Sequence, residues 1–170
     1  MFAGTIAAAG LAAALAVAAT AAAAEEGGEF EVVIGAETFR FPLEAGQSDW
    51  SGSPDWMSVS LRAKPADEAD WARFRTLALG FEYARGVVSL PELTLSRVLG
   101  DGSLQRLHAG AEAGDLEVTV DRADVRGDLL TLEGRFSAET GPSRDYGRTV
   151  DLSDPAPVAG SFAVTVGPVE

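Results

Sequence analysis

The chain has 170 residues, a formal net charge of −13 and no cysteine. The lack of cysteine excludes disulfides, thiolate metal sites and thiol catalysis. The single lysine, Lys64, and the singly scattered arginines form no basic stripe, so a nucleic acid is not an expected partner.

The first 24 residues are uncharged and rich in alanine, and the small residues Ala22 and Ala24 precede the acids Glu25 and Glu26. This pattern is typical of a cleavable signal peptide. We therefore predict a signal helix over 1–24 that is cut after Ala24, and a single domain over 25–170 that is periplasmic or secreted. A retained transmembrane anchor is the alternative, because the run is long enough to cross a bilayer. After cleavage we expect no membrane association, since the domain is acidic.

From Glu29 onward, apolar residues recur at alternate positions, which places them on one side of extended strands. The pattern predicts an all-β domain, an antiparallel β-sandwich of about eight short strands, with Ig-like or jelly-roll-like topology left open. A small sheet closed on itself is the alternative. The alternating segments are 30–34, 39–43, 57–61, 77–83, 93–95, 116–120, 130–136 and 162–166.

Glycine and aspartate mark the connections between these segments. Gly35 and the run Gly100-Asp101-Gly102 predict tight hairpins, and 46–54 reads as a loop. Residues 65–74, which begin with Pro65 and continue with acids, predict a short helical crossover.

Two late segments share an apolar-x-Gly-x-Phe pattern, with Gly134 before Phe136 and Gly160 before Phe162. A bare glycine leaves room for an aromatic ring from a neighbouring strand. The pattern therefore predicts that these two strands lie side by side.

The best candidate binding residues are Trp50 and Trp56, with Asp49 and Asp55 beside them. An indole can stack on the apolar face of a sugar while a carboxylate accepts its hydroxyls. The alternative is that both rings fold inward and cap the core.

Acids also cluster at Asp121, Asp124 and Asp128, which is a candidate calcium site because calcium prefers several oxygen ligands. The alternative is a solvated face with local ion pairs, because Arg122 and Arg126 lie in the same run. No other cofactor is expected. The only histidine, His108, has no nucleophile motif around it, so we expect a surface or half-buried residue.

These observations favour a non-catalytic binding or structural module of the bacterial envelope, whose partner is an envelope protein or a glycan. Charged residues interrupt the candidate edge strands, so we expect a monomer. The alternatives are a small carbohydrate-active or carbohydrate-binding protein that uses Trp50 and Trp56, and a calcium-stabilised envelope module.

Overall fold

The computed structural model describes residues 25–169, and the predicted signal peptide lies outside them. This part of the chain is nearly all β, as predicted, with ten strands rather than about eight. Two short 3-10 helices, Ala45–Gln47 and Glu68–Ala72, interrupt the strands. The strands are β1 Gly27–Ile34, β2 Glu37–Pro42, β3 Asp49–Ser53, β4 Trp56–Ala63, β5 Phe74–Ala84, β6 Val87–Val98, β7 Leu104–Gly110, β8 Glu117–Arg126, β9 Leu129–Pro142 and β10 Ala156–Pro168.

The strands form two antiparallel sets of five, ordered β2-β1-β10-β9-β8 and β3-β4-β5-β6-β7. Two short bridges join the sets. The C-terminal end of β10 pairs in parallel with β3, with Gly167 opposite Asp49, and β9 pairs with β7 at Gly141 opposite His108. The sheet is therefore one continuous, mixed sheet, and the expectation of a purely antiparallel arrangement is wrong at the β10–β3 bridge.

The apolar residues of both sets face a shared interior. Phe81 of β5 lies 6.3 Å from Phe162 of β10, measured between ring centroids, although these strands are not hydrogen-bonded neighbours. Phe39 of β2 packs edge-on against Phe74 of β5 at 5.0 Å. Rings from one set thus contact rings from the other, and the core lies between them.

The predicted pairing of the two Gly-x-Phe segments is confirmed. β9 and β10 are antiparallel neighbours, with Gly134 opposite Phe162 and Gly160 opposite Phe136. A Cβ added at Gly134 would lie 2.5 Å from Cζ of Phe162. Only a residue without a side chain fits beneath this ring.

The main departure from the sequence prediction is β3, which falls in the segment predicted as a loop. Pro54 and Asp55 form a two-residue turn, and Trp50 then pairs with Val59 of β4. The predicted helical turn is present as the 3-10 helix Glu68–Ala72, but the crossover is wrong, because this helix joins the adjacent antiparallel strands β4 and β5. Within residues 25–169, no helix has the length and apolar character that crossing a membrane requires.

Candidate functional site

The two tryptophans of the candidate binding site point to opposite sides of the β3–β4 hairpin. Trp50 is buried, with 7% of its surface exposed, and its Nε1 donates a hydrogen bond to the carbonyl oxygen of Asp128 at 2.9 Å. Its ring therefore belongs to the core. This agrees, for Trp50, with the alternative expectation that both indoles fold inward.

Trp56 faces outward, and 45% of its surface is exposed. Its ring lies against Gly52, where an added Cβ would be 2.9 Å from Cε3 of the indole. Asp49 lies on the same outer side of the hairpin, because strand residues alternate and Trp50 points inward. Asp55 is exposed in the turn. The structure thus leaves Trp56, Asp49 and Asp55 on the outer side of the hairpin, with Asp55 next to Trp56 at the turn and Asp49 at the other end of β3. Trp50 no longer belongs to the candidate binding site.

Trp56 stands at one end of a surface rich in small hydroxyl side chains. We call this surface, the outward side of β3 to β7, the hydroxyl face. The registers place Ser51 opposite Ser58, and Thr76 Oγ1 donates a hydrogen bond to Ser96 Oγ at 3.0 Å. The hydroxyl residues on this side of the strands are Ser51, Ser58, Ser60, Thr76, Thr94 and the buried Ser96.

A gap interrupts the middle of the hydroxyl face at Gly80. This glycine lies between Ser60 of β4 and Glu92 of β6, and the nearest atom to an added Cβ is 3.7 Å away. Asp49 lies opposite Ser60 and extends the same row. Asp49 and Glu92 are three strand spacings apart, or roughly 14 Å. The row thus has one carboxylate at each end, with a hydroxyl group and bare backbone between them.

The far end of the hydroxyl face is covered by residues 143–155, the connection from β9 to β10, which we call the strap. Asp145 holds the strap together, because its Oδ1 accepts hydrogen bonds from the backbone N–H of Thr149 at 2.8 Å and from Ser143 Oγ at 2.9 Å. These hydrogen bonds lower the pKa of Asp145, and the one from the Thr149 backbone has the largest effect. Tyr146 has a positive φ of 60° and lies over the guanidinium of Arg106.

His108 is buried beneath the strap rather than at the surface or half-buried, as the sequence suggested. Its Nδ1 is 3.2 Å from Thr94 Oγ1, and its buried Nε2 has no hydrogen-bond partner among residues 25–169. Burial lowers the pKa of His108, and the charge of Arg106 lowers it further, while Glu92 and Asp145 act in the opposite direction. Burial therefore favours the neutral form of the imidazole.

The other outer surface, formed by β2, β1, β10, β9 and β8, carries many charges, and we call it the charged face. Two open depressions of about 410 and 380 Å³ lie on it. The acids that line the second include Glu29, Asp121 and Glu133. Each is paired with an arginine: Glu29 with Arg40, Asp121 with Arg135 at 3.1 Å, and Glu133 with Arg122 at 3.0 Å.

The candidate calcium ligands lie in this charged region, and two of them have cationic partners. Asp124 is 2.9 Å from Arg126 and 3.5 Å from Arg122, and Asp121 binds Arg135. Asp128 lies in the β8–β9 turn, where its carbonyl accepts the hydrogen bond from Trp50. In residues 25–169, no group of three or more histidine or acidic side chains is arranged to hold a metal ion. A calcium site at these positions stays a prediction.

The fold and this surface define an all-β protein with one outer face that is rich in hydroxyl side chains and one outer face that is dominated by ion pairs. Comparison with known proteins found no matching family, no matching curated protein and no matching solved structure. Four residues of this surface were not singled out from the sequence, namely Ser58, Ser60, Gly80 and Glu92, although alternation assigned the two serines to the solvent-facing side of their strand. Only the order of the strands shows that these residues form one surface.

Proposed function

We propose that the protein is an exported, non-catalytic β-sandwich module of the cell envelope that binds a polyhydroxylated ligand, a glycan, on its hydroxyl face. In this proposal the two sets of five strands are the two layers of the sandwich. The contacts Phe39–Phe74 and Phe81–Phe162 support this, since they join strands of different sets. Export rests on the uncharged, alanine-rich residues 1–24 and the small residues before Glu25.

The observation that carries the proposal is the exposed indole of Trp56 at the end of a hydroxyl-lined strand surface. A sugar presents an apolar ring face and a rim of hydroxyls, so it needs an aromatic platform with donors and acceptors beside it. Trp56 supplies the platform, Ser51 and Ser58 are adjacent in the hairpin, and Asp49 provides a carboxylate. The bare backbone at Gly80 gives a ligand room to lie across the strands.

A binding role is favoured over catalysis by the way in which the acids are placed. Asp49 and Glu92 are separated by two intervening strands, and a third outward acid, Glu82 of β5, lies opposite Ser58. His108, the only histidine, is covered by the strap. A carbohydrate-active enzyme needs two converging carboxylates at a cleft, and the two open depressions lie on the opposite face.

The test is a glycan-array screen of the purified protein, followed by titration of the tightest glycan with Trp56→Ala and Trp71→Ala. Trp71 is the matched control, because it is also 45% exposed but donates its Nε1 hydrogen bond to Pro65, outside the hydroxyl face. We expect Trp56→Ala to weaken binding about tenfold or more, equivalent to loss of roughly 1.4 kcal/mol. Trp71→Ala should leave the affinity within about twofold.

A second variant, Ser60→Arg, tests whether the glycan contacts the whole hydroxyl face or only the hairpin tip around Trp56. The long side chain would lie over the bare backbone at Gly80, so it should abolish binding while the melting temperature stays nearly unchanged. The proposal is wrong if the array shows no glycan bound, or if Trp71→Ala weakens binding as much as Trp56→Ala does.

A further inference from the structure

The two strands at the ends of the β2-β1-β10-β9-β8 set differ in how their outer edges are treated. The edge of β2 is covered, because the backbone N–H of Ala66 donates to the carbonyl of Arg40 at 2.8 Å and that of Lys64 to Pro42 at 3.2 Å. Among the described strands, β8 is hydrogen-bonded to β9 alone. β8 is ten residues long, and such an edge presents unpaired N–H and C=O groups that can accept another strand.

β8 contains a bulge that changes which side chains share a face. The register with β9 moves from Val120 opposite Gly134 to Arg122 opposite Glu133, so Asp121 is the extra residue. Asp121 and Arg122 consequently both lie on the charged face, where each reaches a partner on β9. The apolar side chains before and after the bulge, among them Val120 and Ala123, are half-buried and pack against the core.

With this bulge, the sequence of β8 is complementary to itself. If a second β8 lies antiparallel with Asp121 opposite Arg122, Glu117 falls opposite Arg126. The apolar residues then face each other, with Val118 opposite Val125 and Val120 opposite Ala123. These pairings join opposite charges or apolar side chains, and facing residues lie on the same side of the joined sheet.

Neighbouring registers are unfavourable for the same residues. A shift of one position in either direction places Asp121 opposite Asp121 or Arg122 opposite Arg122. Like charges directly opposite in an antiparallel pair are destabilising, and a one-residue slip also moves apolar side chains to the wrong face. The strand therefore selects one register rather than accepting any extended chain.

We propose that β8 is the interface of a symmetric homodimer, in which two β8 strands pair antiparallel across a two-fold axis between Asp121 and Arg122. The two five-stranded sets become one continuous sheet through the interface. The half-buried valines of β8 gain cover from the second copy, and four ion pairs form on the charged face. This differs from the monomer that the charged edge alone led us to expect.

The dimer is a weak one, because pairing through one strand buries less surface than a standard protein interface. The net charge of −13 on each chain opposes association, so the measurement belongs at about 0.15 M salt, where charges more than about 8 Å apart are largely screened. Interfaces of standard size reach dissociation constants as weak as the micromolar range, so for this smaller one we expect a value above about 1 µM.

Sedimentation equilibrium of the full chain, its single-residue variants and their mixture tests the proposal. Asp121→Arg places arginine opposite arginine in a homodimer, and Arg122→Asp places aspartate opposite aspartate, so each variant alone should be monomeric. An equimolar mixture restores opposite charges at both central positions and should form a heterodimer. The double variant, which exchanges the two charges within one chain, should again form a homodimer.

Glu31→Arg is the control, since it reverses a charge on β1, away from the β8 edge. It should leave the dissociation constant within about threefold of the original. Circular dichroism checks that every variant keeps its strand content. A chain that stays monomeric at millimolar concentration, or single variants that dimerise as well as the original, would overturn the proposal.

Discussion

The hydroxyl face and the charged face are built on the same alternation of side chains over a shared apolar interior, but their outer residues are held in different ways. On the charged face, arginines reach acids across strands, as in the pairs Arg135–Asp121 and Arg122–Glu133. On the hydroxyl face, short side chains such as Ser58 and Ser60 leave backbone and neighbouring strands accessible. Exposed ion pairs contribute little stability, so we infer that the two faces differ in what they can bind more than in how they hold the fold together.

The largest expected effect on the free energy of unfolding comes from a change in the interior, between the two faces. Gly134→Ala places a Cβ 2.5 Å from Cζ of Phe162 and 2.4 Å from the Thr119 carbonyl oxygen, so strand and ring must move. We expect a loss of about 2 to 3 kcal/mol in the free energy of unfolding, measured in urea. Gly80→Ala is the matched control on the hydroxyl face, where an added Cβ meets only ordinary contact at 3.7 Å, and its effect should stay within about 0.5 kcal/mol. Equal losses would show that the Phe162 ring does not require the glycine.

A smaller effect, on the pH dependence of the melting temperature, is expected from the buried imidazole of His108 on the hydroxyl face. Its pKa in the folded protein is lowered from the ordinary value of 6.5, chiefly by burial, so the unfolded chain takes up a proton at a higher pH than the folded one. The stability it contributes is complete above pH 6.5 and is lost as the pH falls through the folded pKa. The melting temperature should therefore drop between pH 7.5 and 5.

His108→Gln isolates this contribution, because glutamine does not titrate. Asp145, Asp151 and Asp101 also have lowered pKa values, each set mainly by hydrogen bonds, and they lose their contribution only at more acidic pH. The difference in melting temperature between the original chain and His108→Gln should thus change over pH 7.5 to 5. A constant difference over that range would contradict the prediction.

The smallest effect is expected on the charged face. Arg135→Gln removes the ion pair with Asp121, whose side chains are 65% and 49% exposed, so the free energy of unfolding should change by less than about 0.5 kcal/mol. The measurement is urea unfolding at low protein concentration, where the monomer dominates. A loss above about 1.5 kcal/mol would mean that this ion pair anchors the strands.

Period-two alternation predicted most of the strands because each had an apolar side, and the Gly134–Phe162 pairing because glycine and phenylalanine have a specific steric relation. It missed β3, where serine, glycine and aspartate around Trp50 resemble a loop. Those residues form a strand because β10 and β4 supply hydrogen-bond partners on both sides. Pairing with a distant segment overrides local propensity there.

The candidate sites were harder to predict because they depend on partners far away in the chain. Trp50 and Trp56 look equivalent in the sequence, and only the two-residue turn at Pro54 and Asp55 decides that one faces inward. Asp121 resembled a calcium ligand, yet Arg135 lies on the adjacent strand and binds it. His108 is buried by the strap, which begins 35 residues later in the chain.

The position of β10 in the topology has a consequence for the order of assembly. β10 pairs with β1, with β9 and with β3, so the last of the described strands to be synthesised connects both sets. Until it has emerged, β1 lacks one of its two neighbours and the bridge to β3 does not exist. Contacts between such distant parts of a chain slow folding, because the intervening loops must be closed first. The topology thus delays completion of both strand sets until the last part of the described chain is available to pair.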